Sequence, residues 1–432
     1  MTNDAPRGPL HGIRVLEFGQ IIAGPVAGVY LSDLGADVVK VEPLEGEARR
    51  NTGAVIPNEG KYFQSLNRGK RSLTIDLARP EAREVIRRVA PLFDVVLINY
   101  RLGVAERLGI DYESLRKLRP DVVYANITGF GDRGPEAGRA GSDIVAQAYS
   151  GLMAAEGKVD EHGAPAPLQS SPVIDRSSAL ATAMGVSAAL YHRALTGQGQ
   201  ELHVSLLHTG LEILSRHVMR EPVHDVSSRD PIVEELDRRR REGAPYDELI
   251  ESRRAQGIRF ASHRLYYGGY HTAEGALVLG AITRQNRDAV RRILGIDDET
   301  DDLAFDANTE ENRARVDAWR AEIQERLLAR PANEWVREFN DAGVPASVVQ
   351  FPEELADDPQ VRAMGMMADL EHPVTGPQRT VGPLVRMSAT PTAARGPAPP
   401  LGAHNREVLA EAGFSDAEIA ALVQQGVVGA GE

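Results

Sequence analysis

Asp175 is the carboxylate of this chain whose surroundings suit chemistry. It lies in P-V-I-D-R-S-S-A-L-A-T-A-M-G-V-S-A-A-L-Y, just ahead of a run from Arg176 to Tyr191 that is mostly Ala, Ser, Thr and Gly. Leu180, Met184 and Leu190 recur there at helical spacing. Small residues let a second backbone or a ligand come close. Two readings follow. Asp175 is a helix cap accepting from the amides of Ser177 or Ser178, or it is a nucleophile at the head of a tightly packed helix. A second set of residues is basic and polar, at predicted strand ends and loops: Asn67-Arg68-Gly69-Lys70-Arg71, Asn99-Tyr100-Arg101, and Arg107. A polyphosphate would need such cations, since Arg forks bind phosphate bidentately. Read alone, they are equally well ordinary surface charge.

Other chemistries fail on pattern. Gly129-Phe130-Gly131-Asp132-Arg133-Gly134 matches G-x-G-x-x-G after a strand, yet Pro135, Gly138 and Gly141 follow. No helix opens there to receive a pyrophosphate, so a tight loop is expected. G-x-S-x-G and the phosphate-binding G-x-x-x-x-G-K-[ST] are absent, and His203, His208 and His217 fit no metal spacing. There is no cysteine, hence no thiolate nucleophile, and 49 basic against 62 acidic residues give a net charge of −13. That balance argues against a nucleic-acid or anionic-membrane partner and leaves any anionic ligand to a local cluster of cations. With no apolar leader and no run near the roughly 18 apolar residues of a membrane span, a cytoplasmic protein is expected.

The elements that must position these residues alternate between strand and helix. Ile13–Phe18, Asp37–Glu42, Ser72–Leu77, Val95–Tyr100 and Val122–Thr128 read as strands, with helices over Ala23–Leu34 and Pro80–Leu92 and helical turns over Gly103–Leu118. This is an open doubly wound α/β domain, which binds ligands at the carboxyl ends of its strands. Leu202–Leu207 reads as a further strand and Leu211–Arg220 as a helix. The stretch from Asp225 to Gln256 is crowded with charge and predicts two solvated helices broken at Gly243–Pro245. A hairpin over Tyr270–Ile282 and helices at Arg284–Leu294, Thr309–Ala329 and Asn333–Ala342 predict a small α+β domain. The expected layout is a large domain over 1–220, a charged linker or insertion over 221–262, a small domain over 263–350, and a linker with C-terminal return over 351–432.

These segments carry a family resemblance. P-L-H-G-I-R-V-L-E-F, A-G-P, L-S-D-L-G-A-D-V-V-K-V-E-P, N-R-G-K-R-S-L-T-I-D-L, G-F-G-D-R-G-P, G-S-D-I-V-A-Q-A-Y-S-G-L-M and L-T-G-Q-G-Q-E-L-H-V-S-L occur in order. Y-H-T-A-E-G, A-G-V-P-A, D-D-P-Q-V-R-A-M-G and T-V-G-P-L follow them. The chain resembles the class III (CaiB/BaiF-type) CoA-transferases, which include formyl-CoA and carnitine CoA-transferases and the related α-methylacyl-CoA racemases. The resemblance implies a Rossmann-like large domain with a smaller α+β domain, in a homodimer of interlinked chains. It implies coenzyme A or acyl-CoA as substrate, a small carboxylic acid as partner, and no permanently bound cofactor. It implies Asp175 as catalytic, and Gln20, Ala23, Lys70, Arg71, Asn99, Tyr100, Arg101, Arg107 and Asp143 as CoA-binding, with Asp143 directed at the loop that carries A-G-P. An ionised Asp175 helped by helix-start amides is expected, its pKa little raised. The racemases carry a histidine where this chain has Ser142, which cannot cycle a proton near neutral pH, so transfer is expected rather than racemisation. The formyl-CoA members carry a glutamine where Ile22 stands and a run of four glycines that Gly268–Gly269 does not match, so formyl specificity is not expected. A racemase or isomerase of the same family, and a CoA-binding protein without catalysis, are the alternatives.

Overall fold

The computed structural model describes residues 7–256, 263–307 and 309–431; the end of the expected charged linker, 257–262, lies outside them. Six parallel strands form the central sheet: β1 (Arg14–Glu17), β2 (Asp37–Glu42), β3 (Lys70–Thr74), β4 (Val95–Ile98), β5 (Val123–Thr128) and β6 (Glu201–Ser205). Their spatial order is β3-β2-β1-β4-β5-β6, which is the doubly wound dinucleotide-fold order with its crossover point between β1 and β4. Helices α1 (Ala23–Asp33), α2 (Lys61–Asn67), α3 (Ala82–Val89), α4 (Val104–Leu108), α5 (Tyr112–Leu115), α6 (Asp143–Ser150), α7 (Leu152–Glu156) and α8 (Val173–Thr196) connect them.

Alternation along the strands builds two apolar layers, because successive side chains point to opposite faces. Leu16, Val39, Leu73, Val96 and Tyr124 pack with α3 and with Val408, Leu409, Phe414 and Ile419 from the end of the chain. Val15, Val38, Leu97 and Ala125 pack with α1 and with Ala179, Ala183, Val186 and Leu190 of α8. The small residues of α8 thus serve helix packing as well as close approach. Leu180 and Met184, on the same helix, face outward. The C-terminal helices Asn405–Glu411 and Asp416–Gln424 return to the edge strand β3. There Asn405 Oδ1 accepts from Thr74 N at 2.8 Å, and its amide donates to Gly429 O at 2.8 Å.

The chain divides into two compact units, one of residues 1–158, 166–219 and 356–432, the other of 159–165 and 220–355. In the second, β7 (Tyr267–His271), β8 (Ala276–Gly280) and β9 (Ala346–Val348) form an antiparallel sheet. Helices Arg284–Leu294, Glu310–Leu327 and Ala332–Asp341 cover it around Leu277, Ile323, Trp335 and Phe339. Helices Arg229–Arg241 and Tyr246–Gln256 carry ion pairs of Arg238 with Glu235 and Glu242, and of Arg240 with Asp237. After β6 the helix begins five residues before the expected start, at Leu206, because the Ser205 hydroxyl caps it by accepting from His208 N at 3.1 Å. The Gly129–Gly134 segment is a loop. Gly129 and Gly141 press together at its base, and the next helix opens only at Asp143. Among the described residues no helix is long and apolar enough to cross a membrane.

Candidate active site around Asp175

Helix α8 starts at Val173, which puts Asp175 in its first turn rather than at the cap. The expected bonds to Ser177 or Ser178 do not form. Capping is done instead by Asp143, at the head of α6: its Oδ1 accepts from Ile174 N at 2.9 Å and from Asp175 N at 3.0 Å. Gln147 donates to its other oxygen at 2.5 Å. Oδ1 of Asp143 therefore ties α6 to α8 while its other oxygen is taken within α6, which corrects the expectation that it reaches toward the loop carrying A-G-P. The Asp175 carboxylate is 7 % exposed and has no hydrogen-bond partner among the described residues.

Burial, then the Asp143 charge, push the Asp175 carboxyl up from 3.8 to about 7, and Arg49 opposes the rise. The expectation of a little-raised pKa is thus corrected, since the Ile174 and Asp175 amides at the helix start are taken by Asp143. The site is a desolvated carboxylate that titrates far above the ordinary aspartate range.

Across from it lies the turn between β1 and α1. Ala23, the first residue of α1, shares an apolar cluster with Ile174, Ile127, Ala146 and Leu206. No side chain caps α1. Asn99, at the end of β4, holds Gln20 by both its groups: Oδ1 accepts from Gln20 N at 2.9 Å and Nδ2 donates to Gln20 O at 2.8 Å. The Tyr100 hydroxyl meets the Gln20 side chain, and burial raises its pKa. Ile21 N donates to Glu47 Oε2 at 3.2 Å, and Lys40 Nζ donates to Gly19 O at 2.6 Å. These bonds keep Ile21 at φ +71°, a conformation that costs a β-branched residue about 1–3 kcal/mol. The turn is held in a shape it would not choose.

Lys70 and Arg71 are placed elsewhere. The Lys70 ammonium is wholly buried under this turn, within 2.8 Å of Glu17, Pro25 O and Asn67 Oδ1. Arg71 turns to Asp37, the first residue of β2, and to Glu407 and Glu411 at 2.9 and 2.8 Å. That is the amino end of the sheet, away from where an open α/β sheet binds ligands. Both residues expected to bind CoA are thus engaged in ion pairs within the fold. Arg101 and Arg107 are exposed beyond β4, and among the described residues no carboxylate pairs with either. Arg101 lines a cavity of about 200 Å³ with Tyr100, Tyr112, Tyr124 and Asn126, whose Oδ1 is buried without a partner. Ser142 lies exposed beside Asp143, where its hydroxyl makes no capping bond. Sequence reasoning missed Glu47 and Arg49, for no local pattern marks a residue whose neighbours come from other strand ends.

Fold and site together define an α/β enzyme with a buried carboxylate beside the first turn of a doubly wound sheet. Comparison with known proteins carries this further. The model of CoA-transferase family III matches residues 10–405, and the chain belongs to that family. A succinate–glutarate CoA-transferase of Agrobacterium fabrum is 34% identical over 428 residues, covering 95% of this chain and 97% of that one. A succinyl-CoA:mesaconate CoA-transferase of Haloarcula hispanica is 31% identical, covering 94% and 97%. A crystal structure of a CaiB/BaiF family protein from Brucella suis superposes with a TM-score of 0.74 at 28% identity, covering 94% of this chain and all of that one. The protein is a class III CoA-transferase.

Proposed function

We propose that the enzyme moves CoA from an acyl-CoA donor to a small dicarboxylic acid through covalent intermediates on Asp175. The observation that carries this reading is the buried Asp175 carboxylate, without a hydrogen bond among the described residues and with its pKa pushed up to about 7. Making a thioester from a carboxylate without ATP requires an existing thioester as the source of activation. A carboxylate oxygen of Asp175 attacks the donor carbonyl. The C–S bond breaks, CoA leaves as thiolate, and a mixed anhydride remains. The thiolate attacks the aspartyl carbonyl, giving an aspartyl-CoA thioester and releasing the donor acid. The acceptor carboxylate repeats both steps in the opposite sense and regenerates Asp175. Desolvation serves the first attack: a carboxylate oxygen with its pKa pushed up to about 7 is more basic than an ordinary carboxylate. The uncapped amides of α1, beginning at Ala23, are suited to bear the developing oxyanions. Gln20, Asn99 and Tyr100 shape the turn that presents them, and Arg101 and Arg107 supply cations for the CoA phosphates.

The names of the relatives support dicarboxylic acids as acceptors, as they specify glutarate and mesaconate. A homodimer fits the outward apolar stripe of α8, where Met184, Tyr191 and Leu195 are 71, 68 and 68 % exposed. The test is transfer itself. Purified protein given succinyl-CoA and a panel of four- and five-carbon dicarboxylic acids should form the new CoA ester, read by mass spectrometry. Asp175→Asn should abolish it. Rapid α-proton exchange of a 2-methylacyl-CoA in deuterated water, with no transfer to any acid, would place the protein on the racemase branch.

A further inference from the structure

Arg49 is a cation near this site for which the described residues supply no carboxylate. Its neighbour Arg50 is fully committed, with Nε and Nη2 donating to the two carboxylate oxygens of Glu42 at 2.7 and 2.8 Å. The Arg49 guanidinium instead lies over the Tyr62 ring, 5.1 Å from its centroid, and its Nε is buried without an acceptor. Among the described residues no ion pair holds it. A buried donor left unpaired is costly, and such groups in native proteins call for an explanation. The position of Arg49 supplies one. Two residues before it, Glu47 accepts from the Ile21 amide of the turn that leads into α1. Ala23 at the head of α1 packs in one cluster with Ile174, the residue before Asp175. The charge of Arg49 is felt at Asp175, where it opposes the effect of Asp143.

We propose that Arg49 holds the second carboxylate of a dicarboxylic acceptor while the first attacks the Asp175 thioester. The inference rests on the Asp175 reading above and adds to it the residue that selects the acceptor. An arginine binds a carboxylate side-on through Nε and one Nη, and the Nε of that edge is the atom buried without an acceptor here. In the step served, an oxygen of the near carboxylate bonds to the aspartyl carbonyl carbon, the C–S bond breaks and CoA departs as thiolate. The far carboxylate stays an anion throughout, neutralised by Arg49. A monocarboxylic acid would leave the fork empty.

The experiment compares glutarate with pentanoate, acids of equal length that differ in the far carboxylate. In a ping-pong scheme kcat/KM for the acceptor reports its own half-reaction, when Asp175 is already a thioester and its ionisation no longer matters. Wild type should prefer glutarate by about 100-fold. Arg49→Gln should lower kcat/KM for glutarate by about 30- to 100-fold and for pentanoate by less than about threefold, as expected for loss of a charged bidentate pair. Arg49→Lys, which keeps charge without the fork, should fall between, and it carries the same comparison if the Gln variant does not fold. Equal loss on both acids, or a wild type indifferent between them, overturns the role of Arg49 and leaves transfer through Asp175 standing. A wild type that forms neither product, with Asp175 never carrying CoA, overturns the underlying reading and this inference with it.

Discussion

Under the proposed mechanism two demands meet at Asp175: it must be ionised to attack, and it must be desolvated to attack well. Burial and Asp143 lift its pKa to about 7, so kcat/KM for the acyl-CoA donor should rise through pH 7 and level off above it. Asp143→Asn keeps an oxygen that accepts from Ile174 N and Asp175 N but removes the neighbouring charge. The rising limb should then move to lower pH, and an unmoved limb would show that Asp143 does not tune the nucleophile. Stability follows by linkage. The folded pKa lies above the unfolded one, so the contribution of Asp175 is whole below about pH 4 and is lost as pH rises through 7. At about 1.4 kcal/mol per pKa unit the loss is at most about 4 kcal/mol. Asp175→Asn should therefore melt above wild type at pH 8 and close to it at pH 4. Asp175 was legible in the sequence as a residue of interest. Its freedom from capping was not, because the competing cap, Asp143, is remote in the chain and arrives only through helix packing.

The elements that carry the site are strand ends, and they sort the cations seen in N-R-G-K-R and N-Y-R. Lys70 opens β3 with its ammonium pointing under the α1 turn, into a buried pair with Glu17 at 2.8 Å. Lys70→Ala would leave that buried carboxylate to Lys40 alone, 3.2 Å away, and should cost about 3 kcal/mol of stability, measured by denaturant unfolding. Arg101→Ala and Arg107→Ala, on exposed chain beyond β4, should leave stability nearly unchanged. They should weaken CoA more than a pantetheine thioester without the nucleotide phosphates. If Lys70→Ala were as stable as wild type and bound CoA selectively worse, the assignment would be reversed. Composition and spacing cannot make this distinction, because a lysine and an arginine one residue apart on a strand face opposite sides. Strand and helix positions themselves were largely legible, since buried parallel strands read as apolar runs and Gly35, Gly197 and Gly295 end helices in the left-handed conformation. The start of the helix after β6 was not, as a single serine cap outweighed the apolar pattern.

At the scale of the whole molecule the chain is threaded rather than strung. The first unit is assembled from three separated segments, and residues 159–165, which the sequence places inside the large domain, belong with the second. A reading by consecutive stretches cannot recover this, because contacts such as Thr74 with Asn405 join residues 331 positions apart. The doubly wound order was legible as a class from the β-α-β alternation. The final strand order and the closing of β3 by the C-terminal helices depend on packing between distant segments. That architecture brings the α1 turn, Glu47, Arg49 and the head of α8 to one place, and the account of the molecule turns on what happens there to Asp175. The direct measurement is capture of the intermediate. Wild type incubated with succinyl-CoA and no acceptor, then quenched with hydroxylamine and digested, should give a peptide carrying a hydroxamate at Asp175 and no other carboxylate. It should also release free succinate in amounts matching the enzyme. An unmodified Asp175 in protein that still moves CoA to glutarate would contradict the covalent account.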